Sequence, residues 1–546
     1  MVAWTTAAAP AQCSAWTAAV PLGRCSASRA CLEPEPECAA LSLVLDALGS
    51  VLRGGTDTER AVKTMLRHGG RTGAMADGAA RGSAALAIFA VSLWRARLAF
   101  VVGQRASGRP PRGRSFDALA LALLLARPPE GVSLEPPPPA SWLPLLEKEV
   151  GAEHVELYRA LCSAVAPGGR HNEVRWPTAL VPRLAVMHSL PCGLVRDWSR
   201  RLPASELASL AAACNTRGPA TLRINPERTT RARLLLMLDA AGVGAEGGRW
   251  SPWAIRLIGD RASWGGSVWS LPGWAEAQFE LQDEGSQLVV RSCEAQPGET
   301  VLDFCAGRGG KTLALAAQVG PTGRVLAHDI DERALRQLAP AAVRTGVGAR
   351  VEVYNGAAST ADGSAGGGAG GAGAEDMGRH AATLASAYGS AGADDMGGAA
   401  TPAWHSGGVE SILQHASRGV DVVLVDAPCS SSGVLRRHPG LRWSGLWAGE
   451  PPRRMAALQL GILREAAAAV APGGRLVYAT CALEAADCAT ADAFEALHPE
   501  FVPWPFEMAS LEWAEEDGAP QHGHRRTLWP HRLGTDGFFV ARWRRR

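Results

Sequence analysis

From Thr300 to the C-terminus, short β-branched or apolar runs alternate with segments of helical periodicity. That alternation is the signature of a parallel α/β sheet, in which helices cover the strands and carry the chain from one strand to the next. The runs predict strands over residues 301–304, 324–329, 350–354, 420–426 and 475–480, with helices over 311–319, 331–344 and 453–470. Pro340 is expected to kink the second helix, because it lacks a backbone donor and crowds the preceding turn. Between the third and fourth strands lies a Gly- and Ala-rich insertion, residues 357–418, carrying two near copies of one hexapeptide, GAEDMG at Gly373 and GADDMG at Gly392. With so few large apolar groups to offset the entropy of ordering, it is expected to be a disordered loop.

Upstream, TLRIN at Thr221 to Asn225 is strand-like, a helix-like stretch covers 233–241, and short β-rich pieces run to Gln287. This predicts a small α/β subdomain over 219–290. Residues 34–215 read as helical: Leu41, Val44, Leu45, Leu48 and Leu52 recur at helical spacing, and 194–213 is amphipathic. A Pro-rich segment at 128–144 reads as an extended linker. The longest apolar stretches, 84–94 and 118–126, fall short of the roughly 18 residues that cross a bilayer, so no membrane span is expected. Residues 1–33 contain Arg24 and Arg29 and no acid before Glu33. They read either as a plastid or mitochondrial transit peptide, or as an unstructured leader on a protein of the cytoplasm or nucleolus.

Fifty-five Lys and Arg against 53 Asp and Glu give a net charge of +2. A chain-wide cationic field is therefore excluded, and any nucleic-acid surface must be a local patch. The 12 cysteines form no CxxC pair and no His-Cys cluster at zinc spacing, so neither a disulfide framework nor a metal is expected.

Three segments carry candidate chemistry. VLDFCAGRGGKT, residues 301–312, is a buried strand, a Gly-bearing turn and a helix start, a place where backbone amides meet a ligand closely. Alone it is common to many α/β folds. Asp329 ends the next strand 22 positions after Gly307, where doubly wound nucleotide-binding folds place an acid for ribose hydroxyls; it also suits the N-cap of the following helix. DAPCSSSGVLRRHPGLRW, residues 426–443, puts Asp426 and Cys429 at one strand's carboxyl end, and YATC, residues 478–481, puts Cys481 at the end of the next. Two thiols at neighbouring strand ends facing one crevice are hard to explain as packing; a disulfide is the remaining bland account.

These segments, with TLRIN, LQDEGSQ at Leu281 and DGFFVARW at Asp536, resemble in order the Nol/Nop/Sun family of RNA cytosine-5 methyltransferases, most nearly its bacterial small-subunit rRNA branch of Fmu/Sun type. The resemblance spans Leu190 to the C-terminus and implies a Rossmann-like class I S-adenosylmethionine methyltransferase domain over 291–546. Ahead of it would lie the small RNA-gripping α/β subdomain and a helical N-terminal domain that is NusB-like by position. It implies S-adenosyl-L-methionine held by Cys305, Ala306, Gly307, Arg308, Gly309, Gly310 and Lys311, with Asp329 at the ribose and Asn355 at the adenine side. Asp426 would lie near the methyl donor and the base, Cys481 would be the nucleophile, and Cys429 would aid product release. Arg436, Arg437 and His438 match an RNA-facing loop, whereas Arg542 and Arg544 to Arg546 read as a solvated tail.

The implied partner is RNA, with ribosomal RNA foremost; no membrane or metal partner is implied, and a monomer is expected. Departures occur at Arg308 and Asn355, where the family has Pro and Asp, and at Ala482, Asp487 and Cys488, where it has Ser and Glu-Asn. They leave open a weak or inactive RNA-binding assembly factor with the same fold. A nicotinamide-dependent dehydrogenase shares the Gly-rich turn and acid but leaves both cysteines unexplained.

Overall fold

A computed structural model gives the fold and describes residues 36–52, 58–72, 78–105, 112–126, 142–150, 154–155, 176–259, 264, 267–355, 403–406, 409–415, 419–443, 451–506 and 523–546. The leader 1–33, most of the Pro-rich segment and residues 357–402 of the insertion lie outside them.

Among the described residues, the C-terminal half is built on a sheet of nine strands: β5 (Thr300–Asp303), β6 (Arg324–Asp329), β7 (Val351–Asn355), β8 (Ala403–Ser406), β9 (Val420–Asp426), β10 (Val470–Thr480), β11 (Phe501–Pro503), β12 (Arg525–Leu528) and β13 (Phe538–Arg545). Its order is β11-β13-β10-β9-β5-β6-β7-β8, with β12 against β13. The strands from β10 across to β8 are parallel, and β13 runs antiparallel to β10. Near-continuous apolar runs follow from this arrangement, since alternate residues of each strand feed cores on opposite faces. Val301, Val325, Val353, Val422 and Val477 pack on one side with helices Glu284–Arg291, Gly310–Val319 and Glu332–Thr345. Leu302, Leu326, Tyr354, Val423 and Tyr478 pack on the other with helices Pro451–Ala467 and Ala485–Leu497. Strand order reverses between β5 and β9, and the crevice beyond their carboxyl ends is where open α/β sheets bind ligands.

Four strands upstream, β1 (Thr221–Ile224), β2 (Ala245–Gly247), β3 (Ala254–Leu257) and β4 (Phe279–Leu281), form an antiparallel sheet in the order β2-β3-β1-β4. Helix Arg231–Ala240 belongs to this subdomain; its first turn is capped by the Thr230 hydroxyl, which accepts from Arg233 N.

Several expectations need correction. The insertion is not loop to its end: Ala403–Ser406 adds to the sheet beside β7, and Ile412 of helix Val409–His415 is buried in the second core. The second predicted helix is observed as Glu332–Thr345 with Pro340 in its interior, so the place of the expected kink falls within it and needs no correction. Residues 34–215 divide in two. Helices from Pro36 to Val150 share one core, whereas Leu184, Leu194, Trp198 and Leu207 pack with Leu435, Leu483 and Trp529 of the C-terminal half. Helix Gly78–Arg105 contains a stretch, Arg81–Val101, that is long and apolar enough to cross a membrane by length and composition, because helical structure continues through Arg95 and Arg97. Its residues Ala84, Ile88, Val91 and Trp94 are buried against neighbouring helices.

Arg542 is not in a solvated tail. It lies in β13, fully buried, stacks 3.8 Å from the Trp504 ring centre and donates to Glu294 at 2.6 Å. Buried Arg442 donates to the carbonyls of Leu93, Ser189 and Cys214, joining both helical groups to the loop that follows Cys429.

Candidate active site

After β5 the chain stays pinned at the crevice, with Phe304 N donating to Leu424 O and Ala306 N to His328 O, each at 2.9 Å. It then turns into helix Gly310–Val319 through two glycines with positive φ, Gly307 at 55° and Gly309 at 82°. A Cβ at Gly309 would lie 2.1 Å from Leu338 Cδ1, so only glycine lets the loop close onto that helix; one at Gly307 meets nothing within 4 Å, which leaves the backbone open to a ligand.

Asp329 accepts from Gly307 N at 2.7 Å and from Asp331 N at 2.8 Å, tying the end of β6 to the loop. The helix N-cap itself is Asp331, so Asp329 is left to the crevice. Asn355 ends β7 directly beside it in register. Cys305 is a core group whose thiol burial pushes well above the usual range.

Lys311 Nζ lies 2.5 Å from Asp426 Oδ2. Burial alone would lower the Lys311 pKa, but the Asp426 carboxylate outweighs it and the ammonium is held charged. Asp303, which sequence reading passed over, is fully buried at the end of β5. It accepts from Thr312 Oγ1 at 2.7 Å, leaves Oδ1 without a partner, and is pushed by burial up to about 7. Its signal in the sequence was an acid inside an otherwise apolar strand.

The two thiols meet. Cys429 Sγ and Cys481 Sγ are 3.2 Å apart and both reduced, and Cys481 Sγ is 3.5 Å from Ser431 Oγ. Strand pairing sets this distance: Ala479 of β10 is level with Asp426 of β9, and Ala427 N donates to Ala479 O. Gln459 supports the loop from below, donating to Pro428 O and accepting from the Tyr478 hydroxyl. Buried Glu484 takes the hydroxyls of Ser430 and Ser432 at 2.6 and 2.8 Å. The hydrogen bond to Cys481, then burial, hold the Cys429 thiol well above its usual pKa.

Arg436, Arg437 and His438 do not form a free basic loop. Arg436 is 6% exposed and donates to Asp536 at 2.7 Å, and Arg437 donates to Asp283 at 2.6 Å and to Asp536. His438 is half-buried in the turn that follows, its backbone N donating to Val434 O. The arginines fasten the Cys429 loop to the small subdomain and to the segment before β13, because two carboxylates from distant parts of the chain converge on them.

Residues 290–369 and 398–544 match the model of the 16S rRNA methyltransferase RsmB/F family, and residues 190–262 match that of the RsmF/B-like ferredoxin-like domain. The chain belongs to this family. A probable ribosomal RNA small subunit methyltransferase B from Bacillus subtilis is 28% identical over 368 residues, 67% of this chain and 68% of that one. The ribosomal RNA small subunit methyltransferase B of Serratia proteamaculans is 29% identical over 353 residues, 64% of this chain and 65% of its own. The crystal structure of PH0851 aligns over 94% of this chain and 99% of its own, with a TM-score of 0.63 at 20% identity, and shares the fold.

Family membership makes this RsmB/F-type chain an S-adenosylmethionine-dependent RNA methyltransferase and removes the dehydrogenase reading. Its crevice fits that cofactor: Asp329 and the orphaned Asp303 oxygen are acceptors for hydroxyl and ammonium donors, and the open side of Gly307 admits close approach.

Asp487 sits behind Cys481, accepting from Thr480 Oγ1 at 3.0 Å with Oδ2 unpartnered. Burial, then the Glu484 charge, push its pKa from 3.8 up to about 8. The folded pKa is the higher one, so the stability linked to this proton is complete below the unfolded value and is lost as pH rises through about 8. Asp487→Asn, which mimics the neutral acid, is expected to flatten the fall of melting temperature between pH 5 and 9. At pH 8 it should be more stable than the unsubstituted protein by on the order of 2 kcal/mol. Parallel slopes of melting temperature against pH for the two proteins would contradict this.

Proposed function

We propose that this enzyme methylates carbon 5 of a cytosine in small-subunit ribosomal RNA through a covalent bond between Cys481 and carbon 6. The observation that carries the reading is the pair of reduced thiols 3.2 Å apart at the ends of adjacent strands, beside the cofactor crevice. The rRNA assignment is supported by the names of the relatives, ribosomal RNA small subunit methyltransferase B.

Carbon 5 of cytosine is a poor nucleophile. Addition of the Cys481 thiolate at carbon 6 turns the ring into an enamine with electron density at carbon 5. S-adenosylmethionine, when bound, supplies a methyl group on a positively charged sulfur. Once carbon 5 carries that methyl, its proton must leave to a base; the carbon 6–sulfur bond then breaks and its electron pair returns to Cys481.

Cys429 suits the role of that base. Its pKa is held up first by the hydrogen bond with Cys481, then by burial and by the charge of Cys481; the charge disappears when Cys481 is a thioether and the hydrogen bond weakens, while burial remains. Loss of a proton from Cys429 thus becomes easier at the stage that needs it than in the resting pair. Asp426, with Oδ2 held by Lys311, offers its other oxygen to the amino group of the base. A target in structured RNA must be unstacked to reach these groups.

The test is to incubate the protein with S-adenosylmethionine and unmethylated small-subunit rRNA, digest the RNA to nucleosides and weigh the products. 5-Methylcytidine is expected; a methyl group on another base or on ribose would overturn the proposal.

A further inference from the structure

Ser431 lies in the left-handed region, φ 59° and ψ 28°, a conformation that costs a non-glycine residue roughly 1–2 kcal/mol. Such a conformation persists only where its surroundings dictate it. Here they do so from both sides. The hydroxyls of Ser430 and Ser432 donate to the two oxygens of Glu484, which also accepts from Leu483 N at 2.9 Å. Gly433 N then donates to Cys481 O, and Gly537 N to Gly433 O, each at 2.9 Å. The chain between these anchors has no freedom to relax. What the strained turn achieves is contact: Ser431 Oγ lies 3.5 Å from Cys481 Sγ, with Cys429 Sγ as the other polar neighbour of that sulfur.

We propose that the Ser431 hydroxyl is a catalytic hydrogen-bond donor to the Cys481 thiolate, stabilising the ionised nucleophile. This rests on the reading of Cys481 as the nucleophile. The resting Cys481 thiol is placed to donate to Ser431 Oγ. When Cys481 sheds that proton to solvent, to which the partly exposed thiol is open, the serine O–H turns about one bond and donates to the sulfur. Cys429 donates to the same ionised sulfur at 3.2 Å and Lys311 is engaged with Asp426, so the serine hydroxyl adds a second donor to that sulfur. The charged or titratable groups around the two sulfurs include Lys311, Asp426, Cys429, Glu484 and Asp487, and Cys429 also takes a backbone hydrogen bond from Ser431, so Cys429 alkylation is read beside that of Cys481.

The first arm of the test needs no RNA. The full chain is alkylated with iodoacetamide between pH 6 and 10, and modification of Cys481 is followed separately from Cys429 by mass spectrometry of the peptides. Ser431→Ala removes the hydroxyl and keeps the strained backbone; Ser431→Gly removes both the hydroxyl and the strain, so it stays folded. The pH midpoint of Cys481 alkylation is expected to rise by about one unit in both, or about ten-fold less thiolate near neutral pH. A midpoint that moves in neither variant, or only in the alanine variant, overturns the proposal. RNA methylation by Cys481→Ala protein separates the two readings: an unmoved midpoint beside an inactive Cys481→Ala overturns the Ser431 role alone, whereas an active Cys481→Ala overturns both.

Discussion

Cys481→Ala is expected to lower RNA methylation by at least about 10³-fold, and to leave no covalent protein–RNA species, because the nucleophile that bonds to carbon 6 is gone. Cys429→Ala should behave in the opposite way. Its nucleophile is intact, so the adduct forms and the methyl is accepted, but the base that lets carbon 5 shed its proton is missing. A protein–RNA band that survives denaturing electrophoresis should then accumulate, while multiple turnover falls. The 3.2 Å separation of the sulfurs is what makes this assignment geometric: a thiol so placed is within reach of the atom next to the one Cys481 attacks. The double variant should give no band, since trapping requires Cys481 first. If Cys481→Ala traps RNA and Cys429→Ala does not, the two roles are exchanged. If neither variant alters methylation of a verified substrate, the two-thiol mechanism is wrong.

The parts of the molecule that the sequence declared are those governed by local pattern. Strands β5, β6 and β9 announce themselves as apolar runs because they are buried on both faces, and the cysteines stand at strand ends because the runs stop there. Composition misled at residues 403–418, where a short edge strand and Ile412 hide behind a Gly-rich stretch whose average is that of a loop. Charge misled at Arg436, Arg437 and Arg542. An arginine is read as surface by default, and its burial is decided by carboxylates and aromatic rings far away in the chain, such as Asp536, Glu294 and Trp504. Ser431 was invisible for a related reason. Its left-handed conformation is imposed by Glu484, 53 residues onward, and nothing in the local string SSSG declares it.

Arg436→Ala is expected to destabilise the fold by about 3–5 kcal/mol, the usual result when one partner of a buried ion pair is removed. Arg436 and Asp536 are 6% and 3% exposed and joined at 2.7 Å, with Asp283 at 3.8 Å as a second carboxylate around the same guanidinium. Alanine would leave Asp536 held by Arg437 alone, which is 28% exposed at its side chain and is shared with Asp283. Two buried acids, Asp283 and Asp536, would then compete for one cation. Urea denaturation measures the loss directly. A companion pair, Arg436→Met with Asp536→Leu, should recover much of it, since exchanging both partners for apolar groups removes the unpaired charge along with the attraction. An arginine that faced RNA from a solvated loop would behave otherwise. Its replacement would shift stability by less than about 0.5 kcal/mol and would weaken RNA binding with a smaller salt dependence. That outcome would return Arg436 to the RNA surface and remove it from the set of groups that fix the Cys429 loop in place.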